Sequence, residues 1–258
     1  NQIAEPDTHN KALQRLQSLL EQYPDIPVFN PPHPIQQTRR DRLCELLAGI
    51  EGLKVPRTRR IFPKHPQDIF NTIKKEGFQY PVIIKAAGLH GGQQTLLLKS
   101  ADEAALYAVA LDGRPYYLIQ FVDTLNQNVY SKFRLVMVDG KFYPHHLRFS
   151  EDWLVHFYSA QKYMDKNPEY HDREKAFFHD FEQHLAPRIA RSLKEIHRRI
   201  PLDFFGLDVC FLPDGQLLLF ECNANMLILR NPAPKISYFT PAMERIHRAT
   251  GTALDSKS

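Results

Sequence analysis

The sequence predicts an α+β protein whose second half is built around β-hairpins. Strand-like and helix-like segments alternate between residues 55 and 122. Two Asp-Gly pairs, Asp139-Gly140 and Asp214-Gly215, each separate two apolar runs, which is a strong signal for a β-hairpin. Between the hairpins, apolar residues from Phe177 to Ile196 recur at helical spacing. Hairpins require antiparallel strands, so this mixture favours α+β over a doubly wound parallel sheet.

Composition and charge narrow the class of protein. The 258 residues are 43% hydrophobic and 24% charged, as in ordinary folded proteins, and no apolar run approaches the roughly 18 residues of a membrane span. The formal charge of +4 suits an anionic ligand such as a nucleotide and falls short of a nucleic-acid-binding signature. Cys44, Cys210 and Cys222 lack zinc or disulfide spacing, which favours a reducing compartment. We expect a cytoplasmic protein without membrane or nucleic-acid partners.

The chain begins without a methionine or an apolar leader, so we expect no signal peptide and expect a piece of a longer protein with further domains. Residues 1–54 read as helix, short strand (25–30) and helix (38–50), the remnant of an α/β domain. Residues 55–122 form a small subdomain with a glycine-rich loop, and a helix at 101–111 is expected to open with a capping box of Ser100 and Glu103. Residues 123–258 form a larger subdomain with both hairpins.

The second hairpin carries the strongest chemical signal. With Asp214-Gly215 as a two-residue loop, Leu212 faces Leu217 and Asp208 faces Glu221, and a four-residue loop, 213–216, gives the same register. Asn223 projects from the same face as Glu221. Opposed like charges destabilise a sheet, and no basic residue lies nearby in sequence. A hard cation such as Mg²⁺ would remove the conflict, because it prefers oxygen ligands. The alternative is an exposed hairpin with both carboxylates solvated.

Two further segments indicate an anion. Lys85 ends an apolar strand and precedes Gly88, Gly91 and Gly92, whose backbone amides could approach phosphate oxygens, although such a loop is also a common simple turn. In the first hairpin, Lys132 and Arg134 share a strand face, which suits either an anion site or a solvated basic face.

That hairpin is expected to set Arg134 opposite His145. Pro144 makes its partner strand an edge or a bulged strand. His145, His146 and His156 are interpreted as packing or substrate-contacting residues, and Trp153 as a core residue.

Together these segments resemble the ATP-grasp superfamily, over roughly residues 38–231. The most specific part is Gly206-Leu207-Asp208 followed by Phe220-Glu221-Cys222-Asn223, which is similar to the family's magnesium signature. The resemblance implies two α+β subdomains that hold ATP between them, with Asp208, Glu221 and Asn223 binding Mg²⁺ on the phosphates. Two departures are Gln120, where glutamate is usual, and Ala224-Asn225-Met226-Leu227, where many ligases have a Pro-Gly segment.

The resemblance also implies roles for residues outside the hairpin. Lys85 would contact the phosphates and adenine, and Arg134 would stabilise the transferring phosphoryl group, so these two are the catalytic candidates. The other implied nucleotide contacts are Gly91 and Gly92 over the triphosphate, Gln120 and Val122 at the adenine edge, Asp123 at the ribose, Lys132, and Arg42.

The implied function is an ATP- and Mg²⁺-dependent carboxylate–amine ligase that forms an amide or peptide bond through an acyl phosphate. Its substrates would be a small-molecule or peptide carboxylate and an amine. Two alternatives stay open: a small-molecule kinase similar to the inositol polyphosphate kinases, and a nucleotide-binding module without turnover.

Overall fold

Two β-sheets with flanking helices organise the chain in a computed structural model, which describes residues 7–89, 92–224, 226, 228 and 237–257. The elements follow in this order: α1 Asn10–Gln22, α2 Pro32–Gln37, α3 Arg40–Leu46, β1 Leu53–Lys54, β2 Thr58–Ile61, α4 Pro66–Glu76, β3 Val82–Ala86, β4 Thr95–Leu98, a 3-10 helix Glu103–Ala108, β5 Tyr116–Gln120, β6 Tyr130–Val138, β7 Lys141–Ser150, α5 Phe157–Lys166, α6 Glu169–Asp180, a π-helical turn Phe181–Leu185, α7 Ala186–Arg199, β8 Phe204–Phe211, β9 Leu217–Asn223, a 3-10 helix Ser237–Phe239 and α8 Thr240–Asp255. The predicted α+β class is confirmed. Within the described residues, no helix is both long enough and apolar enough to span a membrane.

The smaller sheet has the strand order β2-β5-β3-β4, and all of its neighbours are antiparallel. One face packs Ile84 and Leu118 against Ile69 and Ile73 of α4 in a buried apolar cluster. The expected series of strands and helices in this region is confirmed. The helix expected at 101–111 is instead a 3-10 helix, and its first amides are capped by Asp102, whose carboxylate accepts from Ala104 N. The predicted capping box at Ser100 is wrong for that reason.

The larger sheet has the order β1-β9-β8-β6-β7, with β1 parallel to β9 and the other neighbours antiparallel. Alternate residues of β6 point to opposite faces. Phe133, Leu135 and Met137 enter the largest apolar cluster, which also takes in α7. Val136 and Val138 pack under α8 on the other face. The same face of β6 continues at Arg134 and Lys132, beyond the end of the α8 cluster.

The two Asp-Gly loops fold differently. Asp139 and Gly140 both have positive φ and close the β6–β7 hairpin as a two-residue loop, as predicted. In the β8–β9 hairpin, Gly215 has a φ of 85° and Leu212 N donates to Gln216 O, so three residues form the loop. Pro213 causes the difference, because its ring fixes a negative φ and starts an ordinary turn that the glycine completes.

A bulge in each hairpin changes the register. In β8–β9, the partner of Leu217 is Phe211, whereas the predicted partner was Leu212. A bulge between Asp208 and Val209 then restores the predicted pairing of Asp208 with Glu221. In β6–β7, a shift between Arg134 and Leu135 places His146 opposite Arg134, so the pairing predicted with His145 is wrong. The softer register expected at Pro144 is confirmed, since β7 is both an edge strand and bulged.

The strand predicted at 25–30 does not form. Pro24 and Pro27 cannot donate backbone hydrogen bonds, and Asn30 adopts a φ of 56°. Its side chain instead crosses to the large sheet: the amide donates to Phe204 O at 2.7 Å and to Ala224 O at 3.2 Å, and the carbonyl accepts from Phe204 N at 2.9 Å. The helix predicted at 38–50 is α3, Arg40–Leu46. Pro187 lies in the first turn of α7, as expected for a proline that starts a helix.

Candidate nucleotide and metal site

Charged side chains from three neighbouring strands gather on one face of the large sheet. Arg134 of β6 is directly opposite Asp208 of β8, and Asp208 is directly opposite Glu221 of β9. Lys132 and Asn223 lie two residues along their strands from Arg134 and Glu221, so they share this face. The structure therefore brings together five of the predicted site residues.

Asp208 is held by two cations. Its exposed fraction is 5%, Arg134 Nε donates to Oδ1 at 2.6 Å, and Arg134 Nη2 and Lys132 Nζ each donate to Oδ2 at 3.0 Å. Burial by itself would raise the pKa of Asp208, but the charges of Arg134 and Lys132 outweigh burial and hold this pKa below its usual value. The carboxylate is therefore ionised at neutral pH, as a metal ligand has to be.

Glu221 has a separate partner. Arg40, the first residue of α3, forms an ion pair with the Glu221 carboxylate, and Arg40 Nη1 also donates to Phe220 O at 2.7 Å. No basic residue lies near the two carboxylates in sequence, but the fold brings cations to both of them from β6 and α3, which are distant in sequence. Like-charge repulsion alone therefore does not require a metal ion here.

The donor set still fits a magnesium ion. Asp208 is a buried, ionised carboxylate, and Glu221 is a half-buried carboxylate on the same face. Asn223 adds an amide on this face. Each carboxylate oxygen can accept more than one bond, so the contacts from Lys132 and Arg134 leave acceptor capacity on Asp208. Among the described residues no group of three His, Cys, Asp or Glu side chains is placed to hold a metal. A metal here would thus take two carboxylates, an amide and non-protein oxygens, as Mg²⁺ does with nucleotide phosphates.

A cleft lies between the end of this face that carries Glu221 and Asn223 and the small sheet. Glu221 and Asn223 line its floor, and Lys85 and Tyr117, which are directly opposite each other on β3 and β5, line its other side. Arg39 and Arg40 close one end. Lys85 and Tyr117 thus line the cleft together with the oxygen-bearing side chains of Glu221 and Asn223.

Gly88 and Leu89, at the start of the glycine-rich loop, line this cleft, and Gly92 lies close to the segment that follows β7. Lys85 Nζ donates to Leu89 O at 3.0 Å, which folds the lysine back toward the loop. A Cβ on Gly92 would lie 3.2 Å from a methyl of Leu154, in the segment that follows β7. Gly92 has a φ of 75°, so both the conformation and the close approach favour glycine. Gly91 lies outside the described residues.

The predicted adenine and ribose contacts lie at the end of β5 and in the segment that follows it, and they do not line the cleft. The side-chain amide of Gln120 is bonded to both backbone groups of Gln79, at 2.8 and 3.0 Å. Val122 packs against a small apolar cluster of β8 and β9, and Asp123 is exposed and accepts from Leu125 N. The roles of these residues stay predictions. The Gln120 side chain already binds the backbone of Gln79.

Arg42 faces a different groove. It is exposed and lies 3.5 Å from Gln37 Oε1, beside Asp41 and Arg59. Arg40, two residues earlier, is the arginine that reaches Glu221. The helical turn of α3 rotates these two side chains to different sides, and the motif Arg40-Asp41-Arg42 did not indicate which would face the site.

The histidines of β7 are buried and uncharged. His145 Nδ1 lies 2.9 Å from His146 Nδ1. Burial, followed by the nearby charge of Arg134, lowers the pKa of His145 to about 3, and the same two causes lower the pKa of His146. Arg148, opposite Lys132, is fully buried and paired with the buried Glu174. The expected packing role of the two histidines agrees with this burial. Trp153, expected in the core, is only half-buried and its ring meets Phe121 edge-on.

Sequence reasoning missed Asp7, Arg39, Arg40 and Tyr117, which line the cleft, and Arg60, which forms an ion pair with Asp7. Arg60 is opposite Tyr117 across β2 and β5, and Tyr117 is opposite Lys85 across β5 and β3. Strand alternation from Lys85 would have placed them on one face, had the strand order of the small sheet been known.

Comparison of the sequence with models of protein families gives no match, and comparison with curated proteins gives none either. The structure, in contrast, is similar to solved structures of ATP-grasp enzymes. A Chryseobacterium gregarium RiPP-associated ATP-grasp ligase in complex with ADP and a leader and core peptide has a TM-score of 0.53 at 13% identity, covering 97% of this chain and 68% of that one.

An N5-carboxyaminoimidazole synthetase and an N5-carboxyaminoimidazole synthase are also similar in structure. N5-carboxyaminoimidazole synthetase from Staphylococcus aureus, complexed with ADP, has a TM-score of 0.52 at 18% identity over 83% of this chain. N5-carboxyaminoimidazole synthase from Aspergillus clavatus, with ADP and 5-aminoimidazole ribonucleotide, has a TM-score of 0.51 at 14% identity over 88% of this chain. This chain spans 51% and 55% of their lengths. The chain has two β-sheets with flanking helices and a cleft between them, and its structure matches these enzymes at TM-scores above 0.5. The chain therefore has the ATP-grasp fold.

Proposed function

We propose that this chain is the nucleotide-binding core of an ATP- and Mg²⁺-dependent ligase that joins a carboxylate to an amine through an acyl phosphate. The observation that carries the proposal is the placement of Asp208, Glu221 and Asn223 on one sheet face, where Glu221 and Asn223 line a cleft that Lys85 also lines. Oxygen ligands on one side and cationic donors on the other are what a nucleotide triphosphate with Mg²⁺ requires.

The reaction would proceed in two steps. A carboxylate oxygen of the acid attacks the γ-phosphorus of ATP, so that the P–O bond to ADP breaks and an acyl phosphate forms. The amine then attacks the acyl carbon, phosphate leaves with the bonding electron pair, and the amine loses a proton as the amide forms.

The residues of this chain would position the reactants and neutralise charge, because the phosphoryl transition state spreads negative charge over its oxygens. When bound, Mg²⁺ supplies further neutralisation of the phosphate oxygens. Arg134 has a planar fork that fits a phosphoryl group and is now aimed at Asp208. In the reaction Arg134 and Lys132 would turn from Asp208 to the transferring group, and Lys85 would bind the phosphates from the other side of the cleft.

A kinase that phosphorylates an anionic acceptor is the second candidate. The formal charge of +4 and the two cations Lys132 and Arg134 on the sheet face would suit such an acceptor. The two candidates share the first requirement, ATP with Mg²⁺, and differ in the product.

The test is ADP release on incubation with ATP, Mg²⁺ and candidate acids, with hydroxylamine present to trap an acyl phosphate as a hydroxamate. Because the Chryseobacterium ligase was solved with a leader and core peptide, acidic peptides belong among the acids alongside small carboxylates. A ligase gives acid-dependent ADP and hydroxamate, whereas a kinase gives a phosphorylated acceptor and no hydroxamate.

Two matched variants make the test specific to the site. Asp208→Asn should abolish the acid-dependent ADP release, because it removes a buried charge from the proposed metal site. Asp214→Asn makes the same change in the exposed hairpin loop and should leave the rate unchanged. Equal ADP release by the wild type and Asp208→Asn would refute the site. Tight ATP binding without turnover on any acid would favour a nucleotide-binding module.

A further inference from the structure

The N-terminal segment places a carboxylate inside the cleft. Asp7 lines the cleft together with Lys85 and Glu221, and its side chain is 9% exposed. The hydroxyl of Tyr117 lies 2.7 Å from Asp7 Oδ1 and 2.8 Å from Oδ2, and Arg60 Nη2 lies 3.3 Å from Oδ1. A carboxylate from this chain thus occupies a position on the small-sheet side of the cleft.

The strand register builds the subsite that holds Asp7. Arg60, Tyr117 and Lys85 are consecutive cross-strand partners, so their side chains form a row on the cleft face of the small sheet. Burial is the largest cause that raises the pKa of Tyr117, so the hydroxyl keeps its proton and acts as a donor. Arg60 supplies a permanent positive charge.

The subsite has a donor that the carboxylate does not use. Arg60 Nε is buried and has no hydrogen-bond partner among the described residues. A buried donor without a partner is costly, and a second oxygen placed beside it would relieve that cost. A phosphate group, with three terminal oxygens, can reach the hydroxyl of Tyr117 and both edges of the guanidinium, whereas the Asp7 carboxylate leaves Nε without an acceptor.

The same segment also lies against the glycine-rich loop. A Cβ built on Gly88 would lie 2.7 Å from a methyl of Thr8 and 3.7 Å from Cβ of Asp7. Gly88 begins the glycine-rich loop, whose later residues Gly91 and Gly92 would cover the triphosphate by the resemblance to ATP-grasp enzymes. The N-terminal segment and a triphosphate therefore require the same space.

We infer that Asp7 is an internal ligand of an oxyanion subsite formed by Arg60 and Tyr117, and that it competes there with a phosphate group of the nucleotide. The inference rests on the proposed function, since it needs a nucleotide in this cleft. Each nucleotide must displace the segment before it binds, so the measured affinity is weakened by the fraction of molecules in which the segment is docked.

The first experiment compares the Kd of a non-hydrolysable ATP analogue with Mg²⁺, by calorimetry, for the wild type, Asp7→Asn and Asp25→Asn. The last variant removes the same charge from an exposed position and is the matched control. Asp7→Asn loses the charge that Arg60 holds, so the analogue should bind about 5- to 30-fold more tightly than to the wild type. Asp25→Asn should bind like the wild type. Thermal unfolding of the variants confirms that both fold.

Three outcomes distinguish a failure of the proposed competition by Asp7 from a failure of the proposed function. Equal Kd values for the wild type and Asp7→Asn overturn the inference and leave the proposed function standing. Weaker binding by Asp7→Asn also overturns it, because Asp7 would then belong to the nucleotide site itself. Absence of binding in all three proteins overturns the proposed function, and the inference with it.

A second measurement uses the wild type without substitution. Hydrogen exchange of the backbone amides at residues 7–9 should speed up at least about threefold on saturation with the ATP analogue and Mg²⁺, because the segment leaves the cleft. Unchanged or slower exchange in the saturated protein would contradict the competition. Exchange in α4, which lies on the far side of the small sheet, is the internal control.

Discussion

Replacement of Glu174 by glutamine tests how the edge of the large sheet is held together. Glu174 and Arg148 are both fully buried, and Arg148 Nη1 lies 2.5 Å from each carboxylate oxygen. The same carboxylate accepts from Leu147 N at 2.9 Å and from the hydroxyl of Tyr238 at 2.8 Å. One side chain on α6 therefore joins the edge strand β7 to the helix that precedes α8.

The size of the effect follows from the burial of the pair. Glu174→Gln keeps the volume but leaves the Arg148 charge buried without a counter-charge, and such a change costs about 3–5 kcal/mol. Arg148 Nε and Nη2 have no hydrogen-bond partner among the described residues, so no second acceptor stands ready. Contacts of the guanidinium with the rings of Phe157 and Phe239, at 4.3 and 5.1 Å, offset part of the loss.

The assay is urea unfolding with the slope m compared between proteins, together with a thermal scan. A loss of about 3–5 kcal/mol corresponds to a Tm lower by roughly 6–20 °C for a chain of this size. The matched control is Glu182→Gln, since Glu182 pairs with Arg245 on the surface at exposed fractions of 59% and 45%, and it should cost less than about 1 kcal/mol. If both variants lose the same small amount, the buried pair does not stabilise the fold as argued.

Three further predictions concern the fold around the site. Asn30→Ala should lower the free energy of unfolding by about 3–5 kcal/mol in urea, because it removes the three hydrogen bonds of a buried side chain and puts alanine at positive φ. Asn30→Gly should recover about 1 kcal/mol of this, and equal losses would refute the backbone part. The free energy of unfolding should fall as the pH is lowered from 7 to 4, by up to about 1.4 kcal/mol per pH unit for each histidine. The reason is that His145 and His146 stay neutral in the folded protein and gain protons near their ordinary pKa in the unfolded chain. A flat profile, or one that is unchanged when both histidines are replaced by glutamine, would contradict this. Gly206→Ala should cost about 1–3 kcal/mol, since its Cβ would overlap the end of the Met226 side chain, and Met226→Ala added to it should restore part of the loss in a double-mutant cycle; simple additivity of the two losses would argue against the contact.

The two hairpins show how far sequence pattern predicts this fold. Their existence follows from Asp-Gly between apolar runs, and the opposition of Asp208 and Glu221 follows from side-chain alternation. The pairing was nevertheless reached through a loop that is one residue too short, and a bulge at Phe220 cancels the error. A bulge depends on how the strand packs in the whole sheet, which a local pattern does not contain.

The site residues divide along the same line. Lys85, Lys132, Arg134, Asp208, Glu221 and Asn223 stand in recognisable local patterns. The structure places Lys85, Glu221 and Asn223 in the lining of the cleft, and Lys132, Arg134 and Asp208 beside Glu221 on the same sheet face. Arg40, Arg60 and Tyr117 come from elements whose packing partners lie far away in sequence, so no local pattern marks them. The neutralisation of Glu221 by Arg40 was missed for this reason, and it removed the electrostatic argument on which the metal prediction first rested. The prediction now rests on the donor set and on the cleft.

The most direct test of the account is calorimetric titration of a non-hydrolysable ATP analogue, with and without Mg²⁺, into the wild type and Glu221→Gln. The account predicts that Mg²⁺ strengthens binding to the wild type by at least about tenfold, and that Glu221→Gln, which keeps the shape of the side chain and loses its charge, abolishes most of this gain. Binding by Glu221→Gln with the same dependence on Mg²⁺ as the wild type would show that the metal, if bound, is held elsewhere.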